Sequence, residues 1–235
     1  MIRDGGIRGV VIVLGRSFTR IKELPNGNLV VGAGCLNYNL AQFAMINSIK
    51  GFEFLIGIPG TIGGGVMMNA GAYGSEFKDL IIGVEVLDKV GNHKYYSSDE
   101  IGFKYRKNSL PQDSIFTQVI FKREKGVENN IRSKMSKIKK IRFSTQPITK
   151  KTAGSIFRNS KDYRAWKLID QVGLRGYSVG GASVSTKHCN FMINDGTASA
   201  LDIEKLGNFI QIKVYHLLGI KLQWEIHRLG RLCRH

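Results

Sequence analysis

The sequence predicts a mixed α+β protein, with strands gathered early in the chain and helices later. Three observations carry this expectation. Short apolar runs and period-two alternation recur through the first half. Helical spacing takes over in the second half, and turn residues punctuate both. Hydrophobic residues make up 43% of 235 positions, enough for one large domain or two small ones. No internal repeat or low-complexity segment is present.

The elements follow in order. "VVIVL" (10–14) is a short continuous apolar run and reads as a strand. "FTRIKEL" (18–24) and "NLVVGAG" (28–34) flank Pro25, Asn26 and Gly27, a hairpin signal. "LNYNLAQFAMINSI" places Leu36, Leu40, Phe43 and Ala44 at helical spacing, with Asn37 or Asn39 as its cap. "LIIGVEVLD" and "HKYYS" flank Val90, Gly91 and Asn92, a second hairpin, and "SIFTQVIFKRE" (114–124) alternates as a strand does. "NNIRSKMSKIKKIRFS" (129–144) is an amphipathic helix, apolar at Ile131, Met135 and Ile138, with a cationic outer face. Thr145, Gln146 and Pro147 mark a boundary. Beyond it, "AWKLIDQVG" is a helix stopped by Gly173, and "SALDIEKLGNFIQIKVYHLLG" a longer one running from Ser199 to Gly219. "KLQWEIHRLG" returns as a terminal strand.

One stretch resists this reading. "IGIPGTIGGGVMMNAGAYG" (56–74) packs seven glycines into nineteen residues, yet Val66, Met67 and Met68 run through its middle. A flexible linker is polar, and this is not. Glycine at such density serves tight turns in a core, or lets something approach the main chain. Two standard nucleotide motifs fail. "VVGAGCLN" has Asn37 where a third Rossmann glycine belongs, and no glycine loop ends in Gly-Lys-Ser/Thr.

Charge and cysteines narrow the function. Thirty-five Lys and Arg against eighteen Asp and Glu give +17, which attracts anions: nucleic acid, lipid headgroups or phosphorylated small molecules. The basic helix has no aromatic before Phe143, whereas a nucleic-acid reader interleaves aromatics with its cations. No apolar run reaches membrane-spanning length, so no membrane insertion is expected. Cys35, Cys189 and Cys233 have no metal-like spacing and read as reduced thiols of a cytoplasmic protein.

Four motifs then occur in order: "FEFLIGIPGTIGGGVMMNAGAYG", "GFKYRKNSLPQDSIF", "TAGSIFRNS" and "LQWEIHRLG". Together they resemble the UDP-N-acetylenolpyruvoylglucosamine reductase family, flavoenzymes of bacterial peptidoglycan precursor synthesis. The resemblance runs through essentially the whole chain. It implies a vanillyl-alcohol-oxidase-like FAD-binding fold followed by a smaller α+β substrate domain. Residues 1–144 would be the FAD-binding part, 145–220 the substrate-binding part, and 221–235 a strand and tail returning to the first. It also implies FAD as bound cofactor, NADPH as co-substrate, a UDP-sugar as substrate, and a monomer that binds no nucleic acid. The compact run from "YRKNS" to "TAGSIF" matches the family's shorter subtype.

The same resemblance assigns roles. Reduction of the enolpyruvyl ether builds negative charge on the carbon and carboxylate next to the site of hydride attack. Such a step needs cationic and hydrogen-bonding groups, and a proton donor. Arg106 and a protonated Glu225 would stabilise that charge, and Ser155 would supply the proton. Gly57, Pro59, Gly60, Thr61, Gly63, Gly64, Asn69 and Tyr73 would lie along the cofactor. Tyr105, Arg106 and Asn159 would contact substrate. Taken singly, Arg106 is one cation among neighbours, Ser155 a turn residue and Glu225 half of a surface pair; the ordered set favours the functional reading. His188 is read as structural. The alternatives are another FAD-dependent oxidoreductase of this fold, or a nucleic-acid or membrane-surface binder resting on charge alone.

One departure remains. The family's phosphate-cradling turn precedes an Asp-Gly-Gly, present here as Asp4, Gly5 and Gly6, and would lie upstream of Met1. The chain therefore looks truncated at its N-terminus: residues 1–235 alone are expected to purify without FAD and to show no NADPH oxidation, and the same chain extended upstream is expected to carry FAD.

Overall fold

A computed structural model describes residues 1–233. The chain divides into two compact units, Ile12–Ile141, and Met1–Val11 with Arg142–His235. The first holds β1 (Ile21–Glu23), β2 (Leu29–Gly32), α1 (Asn37–Ile46), β3 (Ile49–Lys50), α2 (Ile62–Met67), β4 (Gly71–Ala72), β5 (Ser75–Glu76), β6 (Ile81–Leu87), β7 (His93–Ser97), α3 (Ser98–Ile101), β8 (Ile115–Phe121), β9 (Glu124–Lys125) and most of α4 (Glu128–Thr145).

Its main sheet is antiparallel, in the order β1-β2-β8-β6-β7. The alternation of β8 explains its central place: Phe116, Val119 and Phe121 are buried. Phe121 meets Phe52 edge-on at 5.5 Å, and Phe54 meets Phe77 at 6.1 Å. Burying each such ring contributes roughly 1.5–3 kcal/mol. Helix α4 covers this core with Ile131, Met135 and Ile138, and its lysines face outward as the spacing predicts.

The second unit holds α5 (Ala165–Gln171), β10 (Ser178–Val179), β11 (Ala182–Val184), β12 (Met192–Asn194) and α6 (Ala200–Leu218). Ser199 caps α6, exchanging hydrogen bonds with Asp202, and Gly219 ends it at φ 69°. Leu206, Ile210 and Val214 of α6 meet Ile156, Phe157 and Leu222 in one core.

At Gly207 the helix has no room for a side chain. A Cβ there would sit 1.9 Å from the Trp224 ring. That ring cannot give way easily, because its Nε1 donates to Gln211 Oε1 at 2.9 Å and Phe157 lies 5.2 Å away. Gly207→Ala gains about 1 kcal/mol of helix propensity but overpacks the site, typically at about 1–3 kcal/mol. We expect a net loss of stability, read as a lower urea midpoint at unchanged slope.

The structure departs from the sequence reading in several places. Residues 10–14 form no strand: Val10, Val11, Ile12 and Val13 are 62–89% exposed and pair with nothing in a sheet. Residues Arg16–Thr19 form a single 3₁₀ turn, so only Ile21–Glu23 of the expected strand pairs. Neither Asn37 nor Asn39 caps α1. Leu36 holds that position, and Asn37 sends its amide to the Ile58 carbonyl at 3.2 Å. The glycine stretch contains α2, a helix its glycines disguise. The terminal segment forms only isolated bridges, Phe157 to Trp224 and Ile2 to Leu229. Residues 221–233 and 1–11 group with the 142–220 part rather than with the first unit. The last two residues of the expected tail lie outside the described residues.

All three cysteines are free thiols. Burial pushes the Cys189 thiol up to about 11, so it is an inert core thiol. His188 sits between Trp166 and Phe191, its pKa lowered by burial. Among the described residues no cluster of His, Cys, Asp and Glu could hold a metal, and no helix is long and apolar enough to cross a membrane.

Candidate active site

The first unit brings the glycine stretch and the "YRKNS" motif together. The stretch closes on itself: a Cβ on Gly57 would lie 2.5 Å from the Tyr73 ring. Thr61 caps α2, accepting from the Gly64 N–H at 3.4 Å. The glycines then divide by environment. Gly63 and Gly65 are buried, and a Cβ on Gly65 would meet Phe77 at 2.2 Å. These serve close packing of α2 on the sheet. Pro59, Gly60 and Gly64 form the exposed edge, and Gly60, at φ 112°, has open space where a side chain would point. The packing reading of glycine density thus holds for Gly63 and Gly65, while Pro59, Gly60 and Gly64 stay exposed.

Beyond α2 the chain reverses at Asn69, which is fully buried. Its Oδ1 accepts from the Lys78 N–H at 3.0 Å, and its Nδ2 donates to Glu76 Oε2 at 3.0 Å and to the Lys104 carbonyl at 3.2 Å. The Asn69 side chain therefore holds the protein's own chain reversal.

Arg106 approaches from the other side. It lies on a tight turn, closed by mutual bonds between the backbones of Lys104 and Lys107. Its guanidinium donates to the Gly71 carbonyl at 3.0 Å and to the Asn69 carbonyl at 3.5 Å, and lies 4.8 Å from the Tyr105 ring centroid. Asn108 adds a third tie, donating to the Met67 carbonyl at 3.0 Å at the end of α2. Among the described residues, Ser48, Asn69, Tyr73 and Arg106 are the non-glycine residues with positive φ. Three of these four lie in this assembly. Such conformations cost roughly 1–3 kcal/mol each and persist where the surroundings enforce them, often at functional sites.

The second unit brings Ser155 and Glu225 onto neighbouring chain segments. The Glu225 N–H donates to the Ile156 carbonyl at 2.7 Å, and Ser155 bridges to Phe191 on the opposite side. Asn190, also buried, clamps Phe157 twice: its Oδ1 accepts from the Phe157 N–H at 3.0 Å and its Nδ2 donates to the Phe157 carbonyl at 2.8 Å. Asn159 uses its side-chain oxygen to hold the Ala165 N–H at the start of α5. Both Ser155 and Glu225 stay partly accessible.

Two buried polar atoms have no hydrogen-bond partner among the described residues: Asn37 Oδ1 and Arg158 Nε. The first lies beside the glycine turn, where the Asn37 N–H holds the Gly60 carbonyl at 3.0 Å. The second is one residue from Asn159. Each is an unmet polar group within its own unit, an acceptor in the first and a donor in the second. Asn108 and Arg158 lie within "YRKNS" and "TAGSIFRNS", but residue type alone does not single them out.

The chain is a two-part α+β protein, an antiparallel sheet with an exposed glycine edge in one unit and a second, smaller sheet with its helices in the other. Residues 1–94 match the family model described as an FAD binding domain. Residues 146–229 match that of the UDP-N-acetylenolpyruvoylglucosamine reductase C-terminal domain. The chain is 58% identical over 231 residues to the UDP-N-acetylenolpyruvoylglucosamine reductase of Rickettsia rickettsii (strain Sheila Smith), covering 98% of this chain and 78% of that protein. Against the protein of that name from Rickettsia bellii (strain RML369-C) it is 54% identical, covering 99% and 77%. The crystal structure of the Thermus caldophilus reductase superimposes with a TM-score of 0.86 at 35% identity, over 97% of this chain and 81% of that one. The chain belongs to the UDP-N-acetylenolpyruvoylglucosamine reductase family.

Proposed function

We propose that this protein reduces UDP-N-acetylglucosamine enolpyruvate to UDP-N-acetylmuramate for peptidoglycan synthesis, as a cytoplasmic monomer using FAD and NADPH. The observation that supports this best is the joining of Arg106 to the glycine segment through the Asn69 and Gly71 carbonyls. One assembly thus offers both an edge open to a cofactor and a fixed cation beside it.

When bound and reduced by NADPH, FAD would supply the hydride. Gly60, Gly64 and Pro59 form the edge along which it would be held, with Asn37 Oδ1 as an unmet acceptor behind. The residues do the rest. Arg106 offsets the negative charge that develops on the substrate carboxylate, in a position fixed before the reaction begins. Glu225 polarises the enolpyruvyl group. Ser155 delivers a proton to the carbon left electron-rich, and its backbone bridge to Phe191 fixes where the hydroxyl starts. Arg158 is a candidate partner for the substrate's diphosphate. A surface of net charge +17 speeds capture of two polyanions, NADPH and the UDP-sugar. Family membership disfavours the charge-only binder, and the residue set disfavours a different oxidoreductase.

The test is NADPH consumption by the protein with FAD supplied in excess, so that weak retention of the cofactor does not limit the reading. We expect it to depend on the enolpyruvyl substrate, with one lactyl ether formed per NADPH. Equal oxidation without that substrate contradicts the assignment.

A further inference from the structure

We propose that Asn69 and Asn108 are positioning residues for Arg106, fixing its guanidinium before substrate arrives. The inference rests on the reading of Arg106 given above. An arginine at φ 55° on a four-residue turn has no intrinsic reason to keep one orientation. Here its turn is fastened at both ends. Before Arg106, the Lys104 carbonyl accepts from both the Lys107 N–H and Asn69 Nδ2. After it, Asn108 Nδ2 reaches the Met67 carbonyl at 3.0 Å, while its Oδ1 takes the Leu110 N–H at 2.9 Å.

The two asparagines have one structural effect in common. Each ties the turn to the segment that also supplies Arg106 with its acceptors, the carbonyls of Asn69 and Gly71. The turn and its acceptors therefore move together. The Met67 carbonyl at the end of α2 lacks a helical partner, so Asn108 also meets a demand that the helix leaves open. Preorganised donors lower a barrier because they need no reorganisation as charge develops, and a misplacement of about 1 Å can cost a hundredfold.

The experiment uses the FAD-loaded full chain and a two-by-two set: parent, Asn108→Ala, Arg106→Ala and the double variant. Reoxidation of the reduced enzyme by the enolpyruvyl substrate is followed after rapid mixing. We expect Asn108→Ala to slow it by about 10- to 100-fold, with reduction by NADPH unchanged. In the Arg106→Ala background the same change should alter the rate less than about threefold, because residues acting through one another are not additive. Hydrogen exchange of the Lys107 amide should quicken in Asn108→Ala even without cofactor. Asn69→Gly, which tolerates the positive φ while removing the amide, should quicken the same exchange; if it fails to fold, Asn108→Ala decides alone. Equal losses in both backgrounds would mean that Asn108 serves only the fold, and would overturn the proposal. Unchanged Lys107 exchange would overturn it too. If Arg106→Ala itself leaves reoxidation intact while exchange quickens, the bracket exists but the catalytic reading of Arg106 falls, and the proposal with it.

Discussion

Arg106→Lys lowers turnover of the enolpyruvyl substrate by about 100- to 1000-fold, the usual cost of removing one preorganised donor to developing charge. The charge is kept, so the loss measures geometry. A guanidinium presents a planar fork that can meet two carbonyls and a carboxylate together, and it stacks on an aromatic face. Arg106 uses both properties here, reaching the Asn69 and Gly71 carbonyls beside the Tyr105 ring. An ammonium is a compact point charge and cannot reproduce that arrangement. The comparison that makes this informative lies on α4. Lys139 and Lys140 are exposed, and Lys139 reaches only toward the Tyr38 ring, 5.6 Å away. Changing both to Gln should reduce association at low salt and leave the maximal rate intact, since exposed charges act through a screened field. Similar losses in maximal rate from the two sets would remove Arg106 from the site.

Ser155→Ala slows the second half of the reaction by about 100- to 10,000-fold, the range for loss of a positioned proton donor. The fold should survive. Ser155 is held through its backbone bridge to Phe191, and the next residues are fixed by the Asn190 carbonyl and amide, none of which needs the hydroxyl. Reduction of the enzyme by NADPH should proceed at the parent rate, because that half requires no proton at the substrate carbon.

How much of this was legible beforehand depends on the range of the forces involved. Strands β2, β6 and β8 and helices α4 and α6 follow from apolar spacing and caps, which are local properties. The apolar run at 10–14 carries the same local signal but finds no strand to pair with, and it stays coil. Helix α2 was hidden for the opposite reason. Its glycines disfavour a helix intrinsically, and packing of Gly63 against Ala33 and Gly65 against Phe77 overrides that preference.

The site shows the same division. Arg106, Ser155 and Glu225 were picked out through their motifs, and the structure places Ser155 and Glu225 on adjoining segments. The burial of Asn69 and its bonds to Lys78, Glu76 and Lys104 were not legible, since they depend on chain reversals that spacing does not reveal. Asn108 and Asn190 were not picked at all. An asparagine that brackets a distant backbone has no periodicity to betray it.

The central claim is that Arg106, Ser155 and Glu225 act on the enolpyruvyl substrate and not on the cofactor. Separate rapid-mixing measurements of the two half-reactions test this most directly, on the parent and on Arg106→Lys, Ser155→Ala and Glu225→Gln. The account predicts that loss of flavin absorbance on adding NADPH stays within about threefold of the parent in all three variants. Its return on adding the enolpyruvyl substrate should slow by at least about a hundredfold. Equal slowing of both halves would show that these residues hold the cofactor, and would contradict the account.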